Sequence, residues 1–254
     1  MWAGQILVGN GWAVYKGPAG STEVHAHHAL QLTICPRGVF AVDLPEVPGM
    51  SSQGILLASG ERHSLPAQSH PLIFVYIEPM SRVGQAAREL LCGRRYLKLD
   101  EQQVRQLMTG WPSVTGIPFA HSAAIFHAHI ARTLFKVDTA KIEPGDARIA
   151  EALEHIRAGL DGRMRLSAVA SRVNLSASHF SLLFRQQTGL PLRAYILWLR
   201  LQNAVAAFAA GGNATSAAHA AGFSDQAHFT RTFVRMFGVT PSTSLLRSEV
   251  IDAR

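Results

Sequence analysis

Residues 217–241 read AAHAAGFSDQAHFTRTFVRMFGVTP, and the architecture of the C-terminal half turns on them. Ala217, Ala218, Ala220 and Ala221 make a small-residue helix that runs into Gly222, a residue free to take the positive φ of a tight turn between helices. Asp225 stands where a side chain caps a new helix. In that helix Phe229, Phe233, Met236 and Phe237 fall at i, i+4, i+7 and i+8, a single apolar stripe. Ala227, His228, Arg231 and Arg235 occupy the opposite face. Gly238 ends the helix and Pro241 forbids its continuation. A helix anchored by aromatic residues, with a short polar and basic outer face, suits the major groove of DNA.

The preceding residues repeat this plan. Residues 148–160 read as a helix with Ile149, Leu153 and Ile156 inward. Ser167 is the expected cap of a helix carrying Val169, Ala170 and Val173, and Asn174, Leu175 and Ser176 make a turn. The next helix turns Phe180, Leu183 and Phe184 inward and Ser178, Ser181, Leu182 and Arg185 outward. Thr188-Gly189 ends it and Pro191 opens a long Ala/Leu helix over residues 192–210. At about 1.5 Å per residue such a rod holds two recognition helices far enough apart to enter successive turns of one groove.

GFSDQAHFTRTFVRMFGVTPS, residues 222–242, resembles the signature of the AraC/XylS transcription regulators, and FRQQTG at 184–189 resembles the end of that family's first helix-turn-helix. After Pro241 the chain reads STSLLRS, where the family often has an aromatic residue and a basic pair. The resemblance covers residues 148–254 and implies two helix-turn-helix units, a double-stranded DNA partner, RNA polymerase as a further partner, and activation more often than repression. Arg231 is the candidate for guanine and Gln226 for adenine, with His228 next. In the first unit Ser178, Ser181 and Arg185 are the polar candidates, and Leu182 suits a thymine methyl. Arg172, Arg193, Arg200 and Arg235 are assigned to phosphates or solvent.

Charge agrees with this division. The chain carries a net +7, and from residue 147 onward 12 Arg and no Lys face six Asp and Glu. Residues 1–146 are close to neutral, with 12 basic against 11 acidic residues. The positive excess therefore sits in the half that holds the motifs, the footprint of a phosphate-binding module.

The N-terminal half reads differently. ILVG, WAVYKG, LQLTICPRG, VFAVDLP, GILLAS and LIFVYIEP, between Ile6 and Pro79, are short strands punctuated by Gly, Pro and Ser. Such strands suggest a sandwich or small barrel. His25, His27, Gln31 and Gly38, then Gly54, Gly60 and His63, resemble the two cupin motifs, in which three His and a carboxylate surround a metal. Gln31 stands in place of the carboxylate, Ala58 in place of a proline and Ala67 in place of an asparagine. The expected fold is therefore α+β: a cupin-like barrel with trailing helices over residues 1–135, a linker at 136–147, and a double helix-turn-helix domain over 148–254. His25, His27, Gln31 and His63 are the effector candidates, walled by Trp12, Tyr15 and Tyr76. No cofactor is expected. The alternative is Zn²⁺ or Fe²⁺ on His25, His27 and His63, giving a metal-sensing regulator or a metal-dependent cupin enzyme fused to a DNA-binding head.

After Pro79 three helical stretches follow, and the resemblance implies a homodimer formed through residues 81–135. His127 and His129, two apart, do not share a helical face, so no metal cluster is expected there. No apolar run reaches membrane-span length and the N-terminus lacks the pattern of a secretion signal. Cys35 and Cys92 form no disulfide framework, so a cytoplasmic protein without a membrane partner is expected. No serine or cysteine nucleophile signature, phosphate loop or dinucleotide fingerprint is present in the sequence.

Overall fold

A computed structural model describes residues 2–68, 70–112, 117–139, 146–160, 164–188, 190–245 and 249–251. Its frame is a seven-stranded sheet of β1 (Gln5–Gly9), β2 (Trp12–Gly17), β3 (Leu30–Ile34), β6 (Gly54–Leu57), β7 (Leu72–Ile77), β8 (Tyr96–Leu99) and β9 (Glu249–Ile251), in the order β8-β6-β3-β7-β2-β1-β9. All pairs are antiparallel except β1 with β9. The remaining strands, β4 (Phe40–Leu44) and β5 (Val47–Ser52), form a separate hairpin. The α+β class is as expected. Among the described residues β8 and β9 remain as edges, so the sheet is open rather than a closed ring.

LIFVYI in β7 is buried throughout, and its period of two divides it between two cores. Ile73, Val75 and Ile77 join Leu30, Leu32 and Ile34 beneath α1 (Arg82–Leu91), α2 (Glu101–Met108) and α3 (Phe119–Thr133), which contribute Val83, Ala87, Val104, Phe126 and Ile130. Ser81 caps α1 by accepting from the Gly84 N–H, and Asp100 with Gln103 forms a capping box on α2.

Leu72, Phe74 and Tyr76 face the other way, toward Phe40, Val42 and Met50 of the hairpin. The same core takes in Trp198, Leu201 and Val205 of α7 (Leu192–Ala209) and Phe229, Phe233 and Phe237 of α9 (Gln226–Phe237). The second helix-turn-helix, α8 (Ala214–Ala220) with α9, is thus packed on the sheet, followed by the short α10 (Pro241–Leu245). The first unit has its own core. Ile149, Leu153 and Ile156 of α4 (Ala147–Ala158), Val169 of α5 (Leu166–Arg172) and Phe180 and Phe184 of α6 (Ala177–Thr188) meet Tyr195 and Leu199 of α7.

Three details depart from the sequence reading. β5 carries Pro48 and Gly49 and exposes four of its six residues, so it lacks an apolar run to announce it. β8 is only four residues long, and its pairing to β6 comes from tertiary context. Ser167 is not a cap: the chain is already helical at Leu166, and Arg165 occupies the N-cap without a side-chain hydrogen bond. Residues 140–145 of the expected linker and Gly189 lie outside the described residues.

Candidate nucleic-acid interface and histidine cluster

On the face of the sheet that meets α9, an isolated bridge pairs His25 with His63 through reciprocal backbone hydrogen bonds of 2.9 Å. His27 follows two residues later, so the rings of His25, His27 and His63 converge, with centroids 4.4 to 5.7 Å apart. One ring nitrogen from each lies within 4.8 Å of the others. Nδ1 of each ring is 2.9 Å from a backbone carbonyl: Glu23 for His25, Ala29 for His27 and Glu61 for His63. Neutral imidazoles donate there and turn the lone pair of Nε2 inward. This is the arrangement in which outer contacts fix a metal-binding tautomer. Burial pushes His27 down to about 4 and, with help from its histidine neighbours, His63 to about 3; burial also lowers His25. All three are therefore neutral at pH 7. His63 Nε2 is buried and has no hydrogen-bond partner. The Glu61 segment that orients His63 is itself clamped by Arg95, whose guanidinium donates twice to the Glu61 carboxylate at 2.8 Å.

Gln31 completes the group. His27 Nε2 lies 2.9 Å from the Gln31 amide oxygen, and the Gln31 amide nitrogen is 2.9 Å from the Thr33 hydroxyl. A neutral His27 that already donates from Nδ1 cannot also donate from Nε2. The amide turned by half a revolution satisfies every partner: its NH₂ donates to His27 and its oxygen accepts from Thr33. The aromatic walls expected around this site are not one wall. Tyr15 and Tyr76 lie in the core on this face, whereas Trp12 is on the opposite side of the sheet, stacked on His127 with centroids 4.4 Å apart. The space left between Tyr15, Tyr76 and α9 is about 10 Å³, no more than a single water needs.

The recognition helices come next. Asp225 caps α9 by accepting from the His228 N–H at 2.6 Å, and that bond is the first cause holding its carboxyl below the usual range. Gly238 closes the helix at φ 75°. The expected stripe, Phe229, Phe233, Met236 and Phe237, is buried, and Gln226, Arg231 and Arg235 are exposed. His228 is half-buried, 3.2 Å from the Ser224 hydroxyl, and Gln226 accepts from Thr215 at 2.7 Å. On α6, Ser178, Ser181, Leu182 and Arg185 all face solvent, Leu182 with 59% exposed. Arg172 is exposed, 3.8 Å from Glu151, and Arg193 is exposed as well. Arg200 is different: its guanidinium donates to the Leu160 carbonyl at 3.0 and 3.2 Å, so it joins α7 to the end of α4 instead of reaching outward.

Residues 169–247 match the protein family described as "Helix-turn-helix domain". The matched span holds most of α5 with α6, and α8 with α9, the two helix-turn-helix units. Over 99 residues the chain is 33% identical to the regulatory protein PocR of Salmonella typhimurium (strain LT2), a match covering 39% of this chain. The chain spans about a third of the length of that curated relative. Among solved structures, ToxT from Vibrio cholerae aligns over 93% of this chain and 98% of its own, with 11% identity and a TM-score of 0.47. An AraC-type DNA-binding domain-containing regulator from Chromobacterium violaceum aligns over 38% of this chain and 88% of its own, with 26% identity and a TM-score of 0.35.

The helix-turn-helix domain touches the histidine cluster directly. The His28 N–H donates at 2.6 Å to the Arg235 carbonyl, one of the last carbonyls of α9. A Cβ added at Gly238 would collide with the His25 ring and crowd His27. Tyr76 packs its ring edge against Phe237 at 5.2 Å. The C-terminal end of the second recognition helix therefore forms the lid of the cluster. The sequence names the histidines and the helix separately but gives no sign that they meet. A weak signal was available for the neighbouring tie: Glu78 is the one acid after the apolar run of β7, and Trp198 the one indole in α7.

Proposed function

We propose that the chain is a sequence-specific DNA-binding transcription regulator. The carrying observation is the pair of outward faces on α6 and α9, joined by the 18-residue α7 in the arginine-rich half of the chain. α7 is about 27 Å long at the standard rise, on the scale of one helical turn of DNA. Arg231 and Gln226, with His228 next, read base edges from α9; Ser178, Ser181, Arg185 and Leu182 read them from α6, and Arg235 holds backbone. Pairing of two copies through α1 to α3 and contact with RNA polymerase belong to the same reading. The test is fluorescence anisotropy of full-length protein on duplex DNA at two salt concentrations. Affinity that falls steeply with salt and weakens in Arg231→Ala supports the reading. Absence of duplex binding overturns it.

A second reading concerns the input, and the fixed tautomers favour it. The residues fit a divalent ion: three neutral imidazoles present converging lone pairs, and one of them, His63 Nε2, is buried without a partner. His25, His27 and His63 would hold it, and it would supply a fixed positive charge under the end of α9. Gln31 would release His27 Nε2 and keep its bond to Thr33. Titration of metal-free protein with Zn²⁺ tests this. One equivalent bound, and lost in His27→Ala and His63→Ala variants that still fold, is the expected result. Binding unchanged in both variants excludes the cluster.

A further inference from the structure

The outer face of α1 is a feature that neither reading uses. Val83, Ala87 and Leu91 bury one side of this helix against the sheet. Arg82, Gln85, Arg88 and Glu89 fall at i, i+3, i+6 and i+7 on the other side, and the three charged ones are exposed. The N-terminal half is close to neutral as a whole, so two arginines on this short face are a local concentration of charge.

This face lies beside the first recognition helix. The Arg82 guanidinium donates to the Gln186 carbonyl of α6, which ties the two helices together. An open groove is lined by Met80, Gln85, Arg88 and Glu89 on the α1 side and by Arg185 of α6 on the other. Gln85 is committed within it, donating to the Met80 carbonyl at 3.2 Å. Arg88 and Arg185 are exposed, and among the described residues neither has a carboxylate within ion-pair reach. Two guanidinium groups against the single carboxylate of Glu89 leave the groove with a positive excess, which suits an anion. Arg185 also belongs to the outward stripe of α6 with Ser178, Ser181 and Leu182. A helix with its side chains is about 10–12 Å across and the major groove about 12 Å wide, so phosphate strands run close along both flanks of a recognition helix. An element tied to that flank comes within reach of the backbone.

We propose that Arg88 holds a backbone phosphate of the DNA that α6 reads, so that the N-terminal half of the chain is itself part of the DNA interface. The proposal rests on the DNA-binding reading above. Arg185 reaches the base edges, and Arg88, across the groove, meets the phosphate strand alongside them. Arg82 positions α1 through its bond to Gln186, and Glu89 opposes the phosphate. The contact is blind to base sequence, and it exists only while α1 and α6 are docked.

The experiment is fluorescence anisotropy of the full-length chain on two unrelated duplexes of equal length, across a salt series, with circular dichroism confirming the fold of each variant. Arg88→Gln should weaken binding to both duplexes about threefold or more and lower the slope of log Kd against log salt by about 1. Glu89→Gln removes the opposing charge and should tighten binding to both, a gain that damage to the fold does not produce. Arg37→Gln takes the same charge from the exposed loop after β3, outside the groove, and should leave the slope unchanged. Arg88→Gln matching the parent in affinity and slope, Glu89→Gln failing to tighten binding, or a slope lowered equally by Arg37→Gln overturns this inference while leaving the DNA-binding reading intact. A parent chain that binds neither duplex removes that reading instead, and the inference with it.

Discussion

The indole N–H of Trp198 donates at 3.0 Å to the buried carboxylate of Glu78, while His28 holds the other oxygen at 3.1 Å. Burial by itself would raise the Glu78 carboxyl, but the bonds from His28 and Trp198 outweigh it and keep the group below its ordinary range. Glu78 follows β7 and Trp198 lies in α7, so this bond ties the sheet to the rod between the two helix-turn-helix units. A single buried carboxylate thus meets the end of the central strand β7, the segment before β3 and the helix-turn-helix domain.

Trp198→Phe keeps the aromatic bulk and removes the donor. The carboxylate then loses one of its partners in a dry setting, and the chain should lose about 1–3 kcal/mol of stability. Urea unfolding of the two proteins measures this. A loss too small to detect would mean that the Glu78 bond contributes nothing net.

Gly238 is held at φ 75°, and a Cβ at this position would overlap the His25 ring. Gly238→Ala should cost about 1 kcal/mol for the left-handed conformation, and more because the new methyl displaces His25. Zn²⁺ affinity should fall with it. A variant that unfolds at the same urea concentration as the parent and binds Zn²⁺ equally well would show that the helix end is not seated on the cluster.

Much of this arrangement was legible in the sequence, and the part that was not has a physical reason. The α9 stripe, the Asp225 cap and the Gly238 stop follow from local periodicity and backbone preference, which act within a few residues. The convergence of His25, His27 and His63 was expected from the resemblance to the cupin motifs, since spacing alone does not bring His63 to the other two. Trp12 turns away from Tyr15 because the two are three apart in β2, and an odd step along a strand reverses the face, so strand alternation already separated these two walls. Long-range docking is a different matter. Nothing local tells that Arg200 reaches back to Leu160, because an arginine on a helix looks the same whether its head meets solvent or a carbonyl. β5, with Pro48 and Gly49, shows how a paired edge strand forms without a hydrophobic pattern.

His127 should make stability pH-dependent. Burial pushes it from its ordinary value down to about 3. As pH falls below about 6.5 the unfolded chain takes up a proton that the folded chain refuses, so stability declines until the folded group also titrates near pH 3. By pH 5 this one group should have removed about 2 kcal/mol relative to pH 7.5. His127→Phe keeps a ring to stack on Trp12 and removes that share. Urea midpoints of parent and variant at pH 7.5 and pH 5 provide the comparison; an identical drop in both would refute the assignment.

Arg231 and Arg200 should separate cleanly. Arg231→Ala should cost about 1–3 kcal/mol on a selected DNA site, relax base preference there and leave unfolding unchanged. Arg200→Ala should instead lower the unfolding midpoint, because the Leu160 carbonyl loses two donors. Uniform weakening by Arg231→Ala on every sequence would reassign that residue to a phosphate.

The most direct measurement is selection of binding sites by the full-length chain from a pool of random duplex DNA. Two recognition helices on one rigid α7 should enrich two short conserved blocks about 10–10.5 base pairs apart, centre to centre, and Arg231→Ala should erase the preference in one block only. A pool with no enriched sequence, or one short block with no partner at that distance, would contradict the account.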